Sequence, residues 1–339
     1  MRVLVIGATG AIGSRLVPRL AEAGHSVAGT SRSAAKAAEL RSLGADPVAL
    51  DVLDAVAVRK VVADAGPDAI IYQATALAGQ AFSRSLDKTF ALTNVLRTQG
   101  TDNVIAAARE AGVRKLIAQS FAPYRYAHGG ALVKGEDHPL LADPPATASQ
   151  TFAAMSHLDE AVTGAGGIAL RYGGFYGDLD QMVAAVRKRQ YPLIGDGRGV
   201  MSFIHLHDAA AATVLALEAA DGPAVYNVTD DEPAQMRDWL PALAAAIGAK
   251  PPRRFPEWAG RLIMGKGLSM MTESVGASNA RAKKELGWTP RYPTWREGFL
   301  AIRLARQPSG WGSVAGLACR WTHATAQRPG MAKPATGAC

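Results

Sequence analysis

The sequence predicts an α/β protein: a doubly wound parallel sheet with helices on both faces, followed by a smaller C-terminal substrate-binding lobe. Three observations predict it. Short apolar, β-branched runs alternate with helix-spaced segments from residue 2 to about residue 120. Those runs are apolar throughout rather than at every second position, as expected of strands covered on both faces. Beyond about residue 177 the alternation becomes irregular.

The elements follow in order. "RVLVIG" reads as the first strand, and "AIGSRLVPRLAEAG" after it has helical spacing up to a glycine stop at Gly24. Then come strand "HSVAGTSR", helix "SAAKAAELRSLG", strand "DPVALDV", helix "AVAVRKVVADAG", strand "DAIIYQAT", helix "TNVLRTQGTDNVIAAAREAG" and strand "RKLIAQS". Residues 121–149, rich in Pro, Gly and Asp, read as a loop over the mouth of the sheet, before a helix over 149–164. "GGIALRYGGFYG" is a further strand and turn. Helix "LDQMVAAVRKRQ", loop "PLIGDGRGVMSF", helix "LHDAAAATVLALEAA", strand "PAVYNVT" and helix "MRDWLPALAAAIG" build the second part. The expected division is a dinucleotide domain over 1–172 and a mainly substrate-binding lobe over 173–305, with part of 200–229 returning to the sheet.

With 339 residues and 48% hydrophobic content the chain can bury a full core. The formal charge of +8 invites a nucleic-acid reading, but Arg303, Arg306, Arg320, Arg328 and Lys333 supply five of those charges in a stretch without acids. No basic stripe interleaved with aromatics remains, so no nucleic-acid partner is expected. Both cysteines, Cys319 and Cys339, lie in the same stretch, which leaves the body without a thiol nucleophile or Cys-based metal site. Residues 306–339 lose periodicity and fill with Gly, Pro, Ser and Thr, and read as a disordered basic tail. No run is long enough for a membrane span, and glycine comes too early for a signal peptide, so a cytoplasmic protein without a membrane partner is expected.

"VLVIGATGAIGSRL" places Gly7, Gly10 and Gly13 between the first strand and first helix. Gly7 would make the tight turn, Gly10 would let backbone approach a pyrophosphate, and Gly13 would let helix pack on strand, with Thr9, Ala11 and Ile12 lining the same turn. The free N–H groups of the helix start would face the phosphates, which makes this a Rossmann dinucleotide site. Where a ribose-binding acid is usual the chain has "GTSRSAAK", so Ser31 and Arg32 can accept a 2′-phosphate and nothing repels it. NADP is favoured over NAD; in the plainer alternative Arg32 is a solvated loop residue. Asp51 and Val52 would lie beside the adenine, and Ala74 and Thr75 at the exit of the fourth strand.

With these motifs in place, residues 1 to about 300 resemble an extended short-chain dehydrogenase/reductase of the NAD-dependent epimerase/dehydratase family. "TNVLRTQGTDNVIAAAREAGVRKLIAQS", "LRYGGFYGD", "PLIGDGRGVMSFIHLHDAA" and "NARAKKELGWTPRYPTWREGF" carry the resemblance along the chain. It implies that Ser120 polarises a substrate carbonyl and that Asn94 shapes the site. With Glu160 matched to the family's helix glutamate, Phe152 and Ser156 fall where the catalytic tyrosine and lysine would stand. No Tyr-x-x-x-Lys occurs anywhere in the chain.

The missing pair matters because the tyrosine exchanges a proton as hydride moves and the lysine lowers its pKa. Tyr124, four residues past Ser120, is the expected substitute donor, with Tyr126 and His128 nearby; packing is its plainer role. Phe152, Ser156, Tyr172 and Tyr176 are expected to line the substrate pocket, Tyr172 and Tyr176 as wall. His157 reads better as a solvent-facing residue than as a base, and His205 with His207 is poor ligand geometry, so no metal is expected. The reading is an atypical NADP-dependent oxidoreductase for a small oxygenated molecule, of sugar-nucleotide or secondary-metabolite type. Its rivals are a dinucleotide sensor or scaffold without redox activity, and a non-redox isomerase, lyase or cyclase in the same pocket. A homodimer is one option for assembly.

Overall fold

The computed structural model describes residues 1–77, 85–177 and 180–306; all but the first residue of the expected basic tail lie outside them. Strand β1 (Arg2–Ile6) leads through the glycine turn into α1 (Gly13–Glu22). Then follow β2 (Ser26–Ser31), α2 (Ala37–Ser42), β3 (Asp46–Ala49), α3 (Ala55–Ala65) and β4 (Ala69–Tyr72). Helices α4 (Leu86–Thr89), α5 (Ala91–Val95) and α6 (Thr101–Glu110) precede β5 (Lys115–Phe121). Next come α7 (Ser149–Gly164), β6 (Ile168–Tyr172), α8 (Asp180–Arg187), α9 (Leu206–Ala219), β7 (Ala224–Val228) and α10 (Met236–Ala246).

The seven strands form one sheet in the order β7-β6-β5-β4-β1-β2-β3, every pairing parallel. The chain runs outward from β1 to β3, then crosses back to β4, so the order reverses between β1 and β4. In such sheets ligands lie outside the strand C-termini at that reversal. Val3 and Val5 pack on one face with α1 and α9, whereas Leu4 and Ile6 pack on the other with residues of α3, α6 and α7. That two-sided cover is why the strand is apolar at every position after Arg2, and each such side chain contributes about 1.5–3 kcal/mol of burial. Local signals set the helix ends: the Asp54 carboxylate accepts from Val56 and Ala57 N–H to start α3, and Gly66 stops it in the left-handed region at φ 47°.

The single helix expected over 93–112 is instead α5, a π turn over Leu96–Gly100, and α6. Tyr72 at the end of β4 meets the helix at this turn. Its Oη donates to Leu96 O at 2.7 Å, a carbonyl that also accepts from Thr101 N in the i+5 pattern, and a Cβ on residue 100 would fall 2.5 Å from the phenol oxygen. Only Gly100 lets the helix come so close. Residues 206–228 lie with the sheet, as do Ala282, Leu286 and Trp288, while Tyr176, Phe203, Trp239, Trp295 and Phe299 pack a separate core. Among the described residues no helix is long and apolar enough to cross a membrane.

Candidate active site

The glycine turn is dictated by close approach. Gly7 sits at φ 89°, and a Cβ there would lie 2.9 Å from Ala74 N; a Cβ on Gly13 would lie 2.4 Å from Gly7 O. Gly10 and Ala11 are exposed at the tip, with Ile12 buried beneath as anchor. The N–H groups of Ala11, Ile12 and Gly13 have no backbone acceptor, and the first turn of α1 carries neither acid nor side-chain cap. These groups fit a pyrophosphate. Thr30 is buried and accepts from Gly7 N at 3.3 Å, tying the end of β2 to the turn. Ser31 Oγ accepts from Ser33 N, while Arg32 is exposed and has no side-chain partner among the described residues. Asp51 Oδ1 accepts from Leu53 N, and Asn103 Nδ2 donates to Val52 O at 3.0 Å, which fixes the third strand's exit. Half-buried Ala74 and Thr75 complete the rim.

Across the β1/β4 reversal, the last residue but one of β5 is Ser120, 1% exposed, whose Oγ has no hydrogen-bond partner among the described residues. Ser120 stands in register with Arg171 of β6. The backbone then turns sharply: Tyr124 takes φ 66°, a region uncommon for a residue with a side chain. Burial pushes its phenol up to about 12, so it stays protonated. The apolar face of α7 meets this turn, with Phe152 and Met155 packed together with Met270, Phe121 and Tyr124. Asn94 Nδ2 donates to Thr151 Oγ1 at 3.0 Å, and Thr151 Oγ1 donates to Asp87 at 2.7 Å; Asn94 Oδ1 remains without a partner.

Beneath that face lies a buried charge network. Asp159 Oδ2 accepts from Arg125 Nη2 at 3.1 Å and from Arg171 Nε at 2.8 Å. Arg125 Nη2 also reaches Ser156 Oγ at 3.4 Å, and Arg171 Nη1 donates to Tyr126 Oη, which donates to Asn227 Oδ1 at 2.8 Å. Burial works against charge on Arg171, but Asp159 and Tyr126 outweigh it and hold that guanidinium above the ordinary range. Arg97, turned inward by the π turn, is pushed down to about 10 by burial and by neighbouring Arg125.

The model of the NAD dependent epimerase/dehydratase family matches residues 3–229. The chain belongs to this family. Like other members it is an NAD(P)-dependent enzyme. It is 40% identical over 309 residues to a 3-diazoavenalumate denitrifying reductase of a Streptomyces species, covering 88% of this chain and 99% of that one. It is 33% identical to a 2-alkyl-3-oxoalkanoate reductase of Stenotrophomonas maltophilia over 74% of this chain and 76% of that one. The UDP-glucose 4-epimerase of Thermus thermophilus, solved with NAD, superposes with a TM-score of 0.65 at 25% identity, covering 89% of this chain and 98% of that one.

Within this family framework the structure moves several expected residues. Tyr172 and Tyr176 are not pocket wall. Tyr172 is fully buried between Gln73 and Thr213, and Tyr176 lies in the core of the lobe, because both follow buried strand positions. The inward carboxylate of α7 is Asp159; Glu160, one residue and about 100° further round the helix, is exposed. A match that rests on Asp159 shifts the two catalytic positions to Thr151 and Met155, neither of which is a tyrosine or a lysine. Phe152 and Ser156 still face inward, one in the apolar cluster and one on Arg125. His157 pairs with Asp102 on an exposed face at 2.8 Å, and His128 pairs with Glu273. His205 Nδ1 accepts from His207 N at the start of α9. Sequence reasoning missed Arg97, Arg125, Asp159 and Arg171. The available signal was spacing: Asp159 lies seven residues from Phe152, on the face that the apolar pattern of the helix assigns to the core.

Proposed function

We propose that the chain is an NADP(H)-dependent reductase of a small, flat, largely apolar substrate of the secondary-metabolite kind, whose hydride acceptor takes no proton from a side chain. The observation that carries this reading is the side-chain set beside Ser120. Thr151, Phe152, Met155 and Ser156 supply no acid of useful pKa, and the nearest phenol, Tyr124, is held at about 12. A reduced nicotinamide dinucleotide bound at the glycine turn supplies a hydride. Arg32, exposed and without a competing acid, would grip the 2′-phosphate, which favours NADP over NAD.

A ketone that receives hydride becomes an alkoxide and needs an acid, and losing that acid costs a factor on the order of a hundred or more. A diazonium nitrogen has no such need. Hydride on its terminal nitrogen gives a neutral diazene, which loses dinitrogen as the N–H proton passes to the ring carbon, so hydride and substrate account for every atom of the product. The Streptomyces relative is named for removing nitrogen from a diazo compound, in keeping with this choice. Ser120 Oγ and the neutral Tyr124 phenol serve here as hydrogen-bond donors to a substrate oxygen, and Phe121, Phe152 and Met155 form the surface on which a ring lies.

The test is nicotinamide absorbance with a diazotised aromatic acid and with the ketone of matching size, alongside detection of released dinitrogen. The diazo compound is expected to exceed the ketone in kcat/KM by on the order of a hundredfold. Equal turnover of ketone and diazo compound, or oxidation of neither cofactor by either, overturns the reading.

A further inference from the structure

The network below the α7 face is unbalanced. Arg97, Arg125 and Arg171 are 6%, 1% and 5% exposed; Asp159 stands among them, and a second carboxylate, Glu136, which accepts from Asn227 N, is near enough to Arg171 to feel its charge. Both bonds to Asp159, from Arg125 and Arg171, fall on Oδ2; Oδ1 is buried without a partner, and Asp159 gives Arg97 no hydrogen bond. Arg125 Nη1 is sealed from solvent without a partner. Arg97 makes no hydrogen bond or ion pair among the described residues, and none of its nitrogens is among the sealed, unpartnered atoms. Burying a charge without compensation is costly, and here Arg97 is the guanidinium left without a bonded counterion.

Its position indicates what compensates it. Arg125 reaches Ser156 on the same helix face as Phe152, and Arg171 is in register with Ser120, whose own Oγ is also sealed without a partner. Arg97 lies one turn beyond Asn94, whose Oδ1 is likewise unpartnered. A π turn inside a helix frequently marks a functional site, and this one aims Arg97 inward. We propose that Arg97 and Arg125, braced by Asp159, form a carboxylate-binding subsite at the floor of the pocket beside Ser120, and that it takes the acid group of an organic substrate. A guanidinium fork matches the two oxygens of a planar carboxylate. The neighbouring surface of Phe121, Tyr124, Phe152 and Met155 suits an apolar body with one anionic head better than it suits inorganic phosphate.

This inference rests on the reading that substrate lies against Ser120, but its test needs no turnover. The full chain, saturated with NADP(H), is titrated by calorimetry with cinnamate, with cinnamamide and with inorganic phosphate. Cinnamate is expected to bind at least about tenfold more tightly than its amide. That preference disappears in Arg97→Gln and persists in Arg97→Lys, while NADP(H) affinity stays unchanged in both. Arg97 is chosen because it holds no partner that its loss would strand. Equal binding of acid and amide overturns the subsite. Competition by phosphate at the same concentration overturns its specificity for carboxylates, and loss of NADP(H) affinity in Arg97→Gln assigns the guanidinium to the cofactor instead. If cinnamate binds as expected but no diazo compound or ketone is reduced, the reductase reading fails and the subsite stands.

Discussion

The two ends of the site are built by different means. The glycine turn offers backbone: Gly7 and Gly13 are there because any Cβ would collide, and the groups it presents are N–H groups at a helix start. The floor under α7 binds through side chains drawn from the π turn, the loop after β5, α7 and β6, and its character depends on which of them carry charge. A site made of backbone tolerates little change in shape but is indifferent to most side chains. A site made of side chains can exchange its chemistry while the fold stays the same.

The sharpest way to break this comparison is at Asp159. Asp159→Asn leaves two buried guanidinium groups without their counterion and is expected to cost about 3–5 kcal/mol in urea denaturation. A loss below about 1 kcal/mol would mean that the arginines do not depend on it. Next is Gly13→Val, whose Cβ would press on Gly7 O from 2.4 Å. It should cost about 1–3 kcal/mol and abolish dinucleotide binding, whereas Phe152→Leu, a change on the other side, should leave that binding intact. Arg32→Ala is smaller still: about a tenfold loss in NADP(H) affinity by calorimetry with NAD(H) unchanged, and equal affinities in the native chain would remove the preference altogether.

The smallest effect is expected at Tyr124. With a folded-state pKa raised to about 12, its contribution to stability is fully present below the ordinary tyrosine value and is lost as pH rises from about 10 through 12. Tyr172, also raised to about 12 by burial, adds to the same alkaline loss. Tyr124→Phe should therefore flatten part of that decline in thermal melting and change kcat at neutral pH less than about threefold. A hundredfold drop would restore Tyr124 to the role of proton donor.

The contrast also explains what could be read from the sequence. The succession of parallel strands and the shape of the glycine turn were legible because each depends on local rules: apolar runs and a turn that excludes Cβ. The charge network was not, since Arg97, Arg125, Asp159 and Arg171 lie far apart along the chain and only the fold makes them neighbours. Tyr172 and Tyr176 failed for a related reason. A tyrosine at a strand end can face pocket or core, and nothing local decides between Thr213 and a ligand as partner for its hydroxyl.

The π turn at Leu96–Gly100 has a bearing on how this pocket could have arisen. A π turn is a helix with one residue too many, and each added residue rotates everything after it by about 100°. Deleting one residue there would restore an unbroken α-helix and turn either Arg97 or all of α6 away from its present neighbours. Insertion of a single codon is thus a sufficient genetic event to bring a guanidinium under α7, provided that Tyr72 stands ready to donate to the Leu96 carbonyl and residue 100 is glycine.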